Sequence, residues 1–157
     1  MTDEATSEER PDTAWSIRSG GPHDARGLLD LWRAAGAEQT LTDDVSSIVR
    51  LCNHDPGALI VADSEHEIVG SVIAGFDGWR GHVYRLAVHP RLRRHGLAGA
   101  LVAEAERRLS SYGARRVNAL VVGEEAHAVA FWEAAGYPRD PRISRHVRTL
   151  GIPPGHE

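Results

Sequence analysis

Leu86-Ala87-Val88-His89-Pro90-Arg91-Leu92-Arg93-Arg94-His95-Gly96-Leu97-Ala98-Gly99 runs from the end of an apolar, β-rich stretch through a proline into a basic loop and on into a helical pattern. Residues 82–88 read as a strand that Pro90 stops, because proline has no N–H to give to a ladder. Leu97, Leu101, Val102, Ala105 and Leu109 then recur at helical spacing, with Gly113 beyond the end. Arg91, Arg93, Arg94 and His95 therefore crowd the start of a helix, where the dipole already places about half a positive charge. A bound polyanion removes that conflict. The first N–H groups of a helix lack internal partners, and Gly96, Ala98 and Gly99 are small enough to let phosphate oxygens reach them. The plainer alternative is a solvated basic loop whose glycines serve only the turn.

Outward from this stretch, strands and helices alternate. Residues 15–18 predict a short strand, Gly20-Gly21-Pro22 interrupts it, and Ala25, Leu28, Leu29, Leu31, Trp32 and Ala35 mark a helix over 24–35. Residues 43–52 predict a second helix, closed by Asn53 and Asp55-Pro56-Gly57. Residues 58–62 and 67–76 are β-rich runs whose short polar connection calls for an antiparallel hairpin, and 77–81 form a second turn into the strand at 82–88. After the helix at 97–109, in which Glu104 and Arg108 are spaced to pair, 116–122 predict a strand, 124–135 a helix closed by Gly136, and 143–150 a last strand. Two strands joined through a helix should lie parallel, so 82–88 and 116–122 are expected to be neighbours. The expected fold is α/β, a single domain whose mixed central sheet combines an antiparallel meander with a parallel pair and carries helices on both faces.

With 157 residues, 41% hydrophobic and 25% charged, the chain has the size and mix of one globular domain rather than a repeat array. Its longest unbroken apolar stretch, 58–62, falls far short of the roughly 20 residues of a membrane span, and Met1 leads into acids rather than a basic and then apolar leader. A cytoplasmic protein without membrane contact is expected. Cys52 is the single cysteine, so an internal disulfide and a zinc–cysteine cluster are excluded and it reads as a small buried hydrophobe. All 18 basic side chains are arginine, which excludes Schiff-base and P-loop lysine chemistry. Asp3, Glu4, Glu8, Glu9 and Asp12 against Arg10 account for the whole formal charge of −4, predicting a disordered acidic tail over 1–12 before a domain over 13–157. That domain is formally neutral, without the basic excess of a nucleic-acid binder.

Arg93-x-x-Gly96-x-Ala98, directly after the strand, resembles the acetyl-CoA-binding motif Q/R-x-x-G-x-G/A of the GNAT superfamily of N-acetyltransferases. The element order matches that fold from residue 15 to 150. Val69-Gly70-Ser71-Val72-Ile73-Ala74-Gly75-Phe76-Asp77-Gly78-Trp79-Arg80-Gly81 looks like the two central strands and turn of a small bacterial group of ribosomal-protein-acetyltransferase type. Phe131-Trp132-Glu133-Ala134-Ala135-Gly136-Tyr137 is similar to the later signature F-Y-x-x-x-G-F/Y. The resemblance implies acetyl-CoA in a V between splayed parallel strands. Its pantetheine arm would run along Leu86, Ala87 and Val88, and its diphosphate would lie on the amides of Arg93, Arg94, His95, Gly96, Leu97, Ala98 and Gly99, with Phe131 and Trp132 alongside. A bulge-freed N–H at Val88 would be the oxyanion donor, with no metal involved.

Departures from the family pattern fall on the proton-transfer groups. Position 132 is tryptophan where relatives often carry the tyrosine that protonates the thiolate; indole donates one hydrogen bond and does not ionise usefully, so packing beside the cofactor is the favoured role. Tyr84 is an alternative donor or an ordinary strand aromatic. The family's asparagine near the last helix corresponds to Glu125. Relatives often have a carboxylate base on the strand before the motif, but this chain has Tyr84 and Arg85, which leaves His82, Asp77 and Glu38 as base candidates. Asp77 also fits a turn, since Asp-Gly is a strong hairpin signal. Glu38, Asp43 and Asp44 in the loop between the first helices suit a cationic amine acceptor, though Asp43 and Asp44 suit helix caps equally. The implied activity is direct acetyl transfer from acetyl-CoA to a primary amine, of a small molecule or a protein. The alternative is a catalytically weak acyl-CoA sensor, and a homodimer is expected by analogy.

Overall fold

The computed structural model describes residues 13–123 and 125–151. The acidic tail expected over 1–12, and the last six residues of the expected domain, lie outside the described residues. The chain forms β1 (Ser16–Ser19), α1 (Ala25–Ala34), α2 (Val45–His54), β2 (Leu59–Ser64), β3 (Glu67–Phe76), β4 (Gly81–Val88), α3 (Leu97–Ser111), β5 (Val117–Ala119) and α4 (Ala126–Ala134), with short 3-10 turns at Pro22–Asp24 and Pro90–Leu92. One sheet runs in the order β1-β2-β3-β4-β5, antiparallel except for the parallel pair β4–β5. This is the mixed meander-plus-parallel-pair sheet expected from the sequence. The β2–β3 hairpin closes on two residues, Glu65 and His66, both at positive φ, as a tight turn matched to the strands' twist requires.

Two apolar layers flank the sheet. Leu97, Leu101, Val102, Ala105 and Leu109 of α3 are all buried and pack with Ile60, Val72, Ala74 and Val83 on one face. Leu28, Leu31 and Trp32 of α1 and Ile48 and Cys52 of α2 pack with Leu59, Val61 and Ile73 on the other. Each fully buried leucine contributes about 1.5–3 kcal/mol relative to exposure. Gly70 and Gly81 are where α3 lies closest: an added Cβ would fall 3.0 Å from Leu101 and 2.8 Å from Leu109 respectively.

Three expectations need correction. Residues 143–150 form no strand among the described residues, and Ile143, Val147 and Leu150 are exposed. Their spacing of four and three lacks the period of two that a half-buried strand needs. β5 has only three residues where seven were expected. Glu104 pairs with Arg107, not Arg108. Arg108 instead turns inward, donating to the carbonyl of Ala74 at 2.9 Å and to Asp55 at 2.7 Å, and ties α3 to the β2 and β3 layer.

The corner from β1 into α1 rests on one charged knot. Arg18 forks onto both oxygens of Asp24 at 2.8 Å and also bonds Asp63 on β2, while Asp24 accepts from the N–H of Gly21 at 2.8 Å. The Arg18 guanidinium holds the buried Asp24 carboxyl below the usual carboxylate range. A depressed folded value means that this stability is present above the unfolded value and is lost as pH falls through the folded one. Asp24→Asn should therefore cost about 2 kcal/mol at pH 7 and markedly less at pH 2, as urea unfolding at the two values will measure.

Candidate functional site

β4 carries the feature that shapes the site. Its pairing with β3 runs Gly70–Val88 and Ser71–Ala87 but then Ile73–Tyr84, so Arg85 and Leu86 together oppose Val72. Arg85 sits at φ +53, a left-handed conformation that costs a bulky residue about 1–2 kcal/mol. The extra residue keeps the faces in phase. Tyr84 and Ala87 pack on the α1–α2 side, and Val83, Leu86 and Val88 pack on the α3 side.

On its other edge, β4 pairs with β5 only through Gly81, His82 and Val83, followed by one further bond from Leu120 N–H to the Val83 carbonyl. Beyond that point no backbone ladder joins the two strands among the described residues, and a V opens between them. His89 donates to the Val69 carbonyl at 2.8 Å. Backbone direction alternates along a strand, so the N–H of Val88 points the other way, into the V.

The V leads to the start of α3. Gly96 is its N-cap, at φ +80, and offers no side chain to the first helical N–H groups; the first intrahelical bond is Ala100 to Gly96 at 3.1 Å. Arg93, Arg94, His95, Gly96 and Gly99 are exposed, Ala98 is half-buried, and a Cβ added at Gly96 or Gly99 would meet nothing within 4 Å. Leu97 belongs to the core, so only its backbone amide can serve the loop. Uncapped N–H groups facing open space behind a basic loop fit the diphosphate of a CoA thioester. The side chains are partly committed elsewhere. Arg91 pairs with Glu67 at 3.2 Å, and Arg93 donates to the carbonyl of Ala35 at 3.2 Å, at the negative end of α1.

Trp132 is buried, edge-on to Phe131 at 5.5 Å and to Tyr137 at 5.0 Å, among the residues packed on α3. Its packing role is plain from these contacts. The phenol of Tyr137 is bonded to Glu106 at 3.1 Å, and burial followed by the Glu106 charge pushes it above its ordinary range. Tyr84 lies across the sheet in the α1–α2 layer, where burial holds its phenol above the usual value. Glu125 is exposed.

Of the three base candidates, Asp77 and His82 sit together at the turn from β3 into β4 and Glu38 stands apart from them in the α1–α2 loop. Asp77 accepts from the N–H groups of Trp79 and Arg80 at 2.8 and 2.7 Å and meets His82 at 3.0 Å, which holds it down to about 2. It is a turn-forming carboxylate. His82 lies at the closed end of the β4–β5 pair, roughly 20 Å along the strand from Val88. Glu38 is exposed, and its backbone carbonyl accepts from Arg85 at 3.2 Å. The neighbouring acids are occupied: Asp44 caps α2 by accepting from Ser47 at 2.7 Å, and Asp43 binds the Thr40 N–H and the Arg85 guanidinium.

Sequence reading missed the role of Arg85, noting it only as a residue standing where a base was sought. It also passed over Ser71 and Trp32, which join it in a buried polar chain. A serine in the middle of the apolar run 67–76 was the one available signal.

Comparisons with known proteins identify the family and the fold. The family model described as "Acetyltransferase (GNAT) family" matches residues 26–137. An acetyltransferase of Sodalis glossinidius is 34% identical over 114 residues, covering 73% of this chain and 80% of that protein. The crystal structure of Ard1 from Thermoplasma volcanium superposes with a TM-score of 0.70 at 20% identity, covering 78% of this chain and 82% of the other. An aminoglycoside N-acetyltransferase solved in complex with CoA gives 0.66 at 14%, covering 87% and 96%. At these identities the two structures speak for the fold, while the family model and the Sodalis relative carry the sequence itself. With the family model spanning residues 26–137 and a relative 34% identical over 73% of its length, the chain belongs to the GNAT family of acetyltransferases.

Proposed function

We propose that this protein transfers acetyl from acetyl-CoA directly to a primary amine within a ternary complex. The observation that supports it best is the V between β4 and β5, lined by the Val88 N–H and leading to the uncapped start of α3. In this reading the pantetheine arm lies along Leu86, Ala87 and Val88, and the diphosphate accepts from the amides between Arg93 and Gly99. The Val88 N–H donates to the thioester oxygen as negative charge gathers there, a contact that strengthens in the transition state. The amine nitrogen bonds to the acetyl carbon, the C–S bond breaks, the thiolate leaves, and the proton released from the nitrogen passes to water or to the thiolate. Cys52 is buried, and burial raises its thiol above the ordinary range, which disfavours an acetyl-cysteine relay.

The acceptor side is bounded by the α1–α2 loop. With Asp43 neutralised by Arg85 and Asp44 engaged as a cap, exposed Glu38 is the acid left to attract a cationic amine. Aminoglycoside-like amines, polyamines and protein amino groups are the classes to assay. Release of CoA thiol that depends on one of these amines is the expected result. CoA binding without any amine-dependent release would favour the acyl-CoA sensor instead.

Two substitutions test the placement. Gly96→Glu puts bulk and negative charge in front of the helix start, and CoA affinity measured by calorimetry should fall at least about tenfold; unchanged affinity would sink the phosphate site. His82→Ala should leave kcat/KM within about twofold, because proton transfer requires contact and His82 lies far from Val88. A loss of about 100-fold would instead make His82 the base.

A further inference from the structure

A closed chain of polar contacts lies behind the β4 bulge. The indole N–H of Trp32 on α1 donates to Ser71 Oγ at 3.0 Å, and Ser71 Oγ donates in turn to the carbonyl of Arg85 at 3.1 Å. The Arg85 guanidinium returns over the Trp32 ring at 4.9 Å and reaches the Glu38 carbonyl, Thr40 Oγ1 and Asp43. Ser71 is completely shut off from solvent, and Trp32 nearly so.

The bulge creates a need that this chain of contacts meets. An extra residue in a strand takes its carbonyl out of the regular ladder, and a carbonyl inside the sheet requires another donor. A serine hydroxyl has one O–H and can also accept. Here the Trp32 donor occupies an accepting lone pair of Ser71, which leaves the single hydroxyl hydrogen to point at Arg85. Alanine at 71 would orphan both the Trp32 N–H and the Arg85 carbonyl. The peptide that follows Arg85 would then be free to turn, and Val88 is only three residues further on.

We propose that Ser71 and Trp32 are positioning residues: through the Arg85 carbonyl they fix the bulge and so the direction in which the Val88 N–H enters the V. The proposal rests on the acetyl-transfer reading above. It adds that the donor's aim is set from the opposite face of the sheet, by the same arginine that holds the acceptor-side loop. Acyl transfer is sensitive to such aim, because an oxyanion donor must lie near the oxygen's final position rather than its starting one.

The test compares Ser71→Ala, Ser71→Thr and Trp32→Phe in the full chain. Three quantities are read: CoA affinity by calorimetry, kcat and KM with an accepted amine, and the infrared stretch of isotope-labelled thioester carbonyl in bound acetyl-CoA. Ser71→Ala should bind CoA within about threefold of the parent yet lose about tenfold to 100-fold in kcat, with the carbonyl band moving toward its value in water. Ser71→Thr, which keeps the hydroxyl, should restore the band and most of kcat. Should Ser71→Ala fail to fold, Trp32→Phe takes its place; it removes the orienting donor while keeping an aromatic ring beneath the Arg85 guanidinium, and should move kcat and the band in the same direction by less. Parent-like kcat and band in the folded variants would overturn the proposal, as would parallel loss of CoA affinity and kcat with the band unmoved. If the parent protein itself neither binds acetyl-CoA nor turns over, the acetyl-transfer reading fails first, a result distinct from either outcome.

Discussion

One inserted residue in β4 governs the layout of the molecule. Without the bulge at Arg85, regular alternation from Tyr84 would place Leu86 on the α1 face and Ala87 on the α3 face, and the end of β4 would bury the wrong side chains. With it, Leu86 and Val88 join the α3 layer while Ala87 sits against α1. The bulge also adds local twist, and β4 leaves its parallel neighbour three residues after the pairing begins. A sheet that stayed paired along its length would satisfy more backbone groups and would have no cleft.

The conflict between a basic loop and a helix N-terminus is eased within the fold as well as by any ligand. Arg91 meets Glu67 at the start of β3, and Arg93 reaches the C-terminal carbonyl of α1. The positive start of α3 and the negative end of α1 are therefore linked by one guanidinium. This docks the loop onto the first helical layer and commits two of its three arginine side chains, Arg91 and Arg93, within the fold. Arg94 takes a left-handed backbone, φ +65, immediately before His95 and Gly96, so the loop turns sharply into α3.

What was legible in the sequence was what repeats. The five inward residues of α3, the short β2–β3 turn and the glycine-led motif each impose a period or a fixed offset, and each appears in the structure where the spacing put it. Single residues with long-range partners were not legible. Arg108 has Glu104 at a suitable helical spacing, but Asp55 and the Ala74 carbonyl offer it a half-buried site with more hydrogen bonds, and tertiary contact outweighs the local pair. The same holds for Ser71 and Arg85, fourteen residues apart, whose contact depends on a bulge that no residue type announces. The strand expected at 143–150 completed the family's element order but lacks alternation, and the described segment leaves the sheet's edge at β5 unextended.

Trp132 shows how unequal the two proton transfers are in such a site. A departing thiol titrates near 8.5, about the ordinary cysteine value, so its anion is tolerated close to neutrality and water can protonate it at little cost. An alkyl ammonium titrates near about 10.4 and cannot attack until it has lost a proton. Replacing a phenol with a buried indole therefore removes help from the easier of the two steps. The harder step is the one that the candidate bases do not serve, since Asp77 and His82 are bound to each other at the closed end of the strand pair and His89, beside Val88 in the chain, accepts the Arg91 N–H on its ring. On the proposed reading, rate in this site comes chiefly from the aim of one backbone N–H and from an acceptor that arrives with part of its population unprotonated. Hence the rigidity of the bulge weighs more heavily here than the loss of the tyrosine.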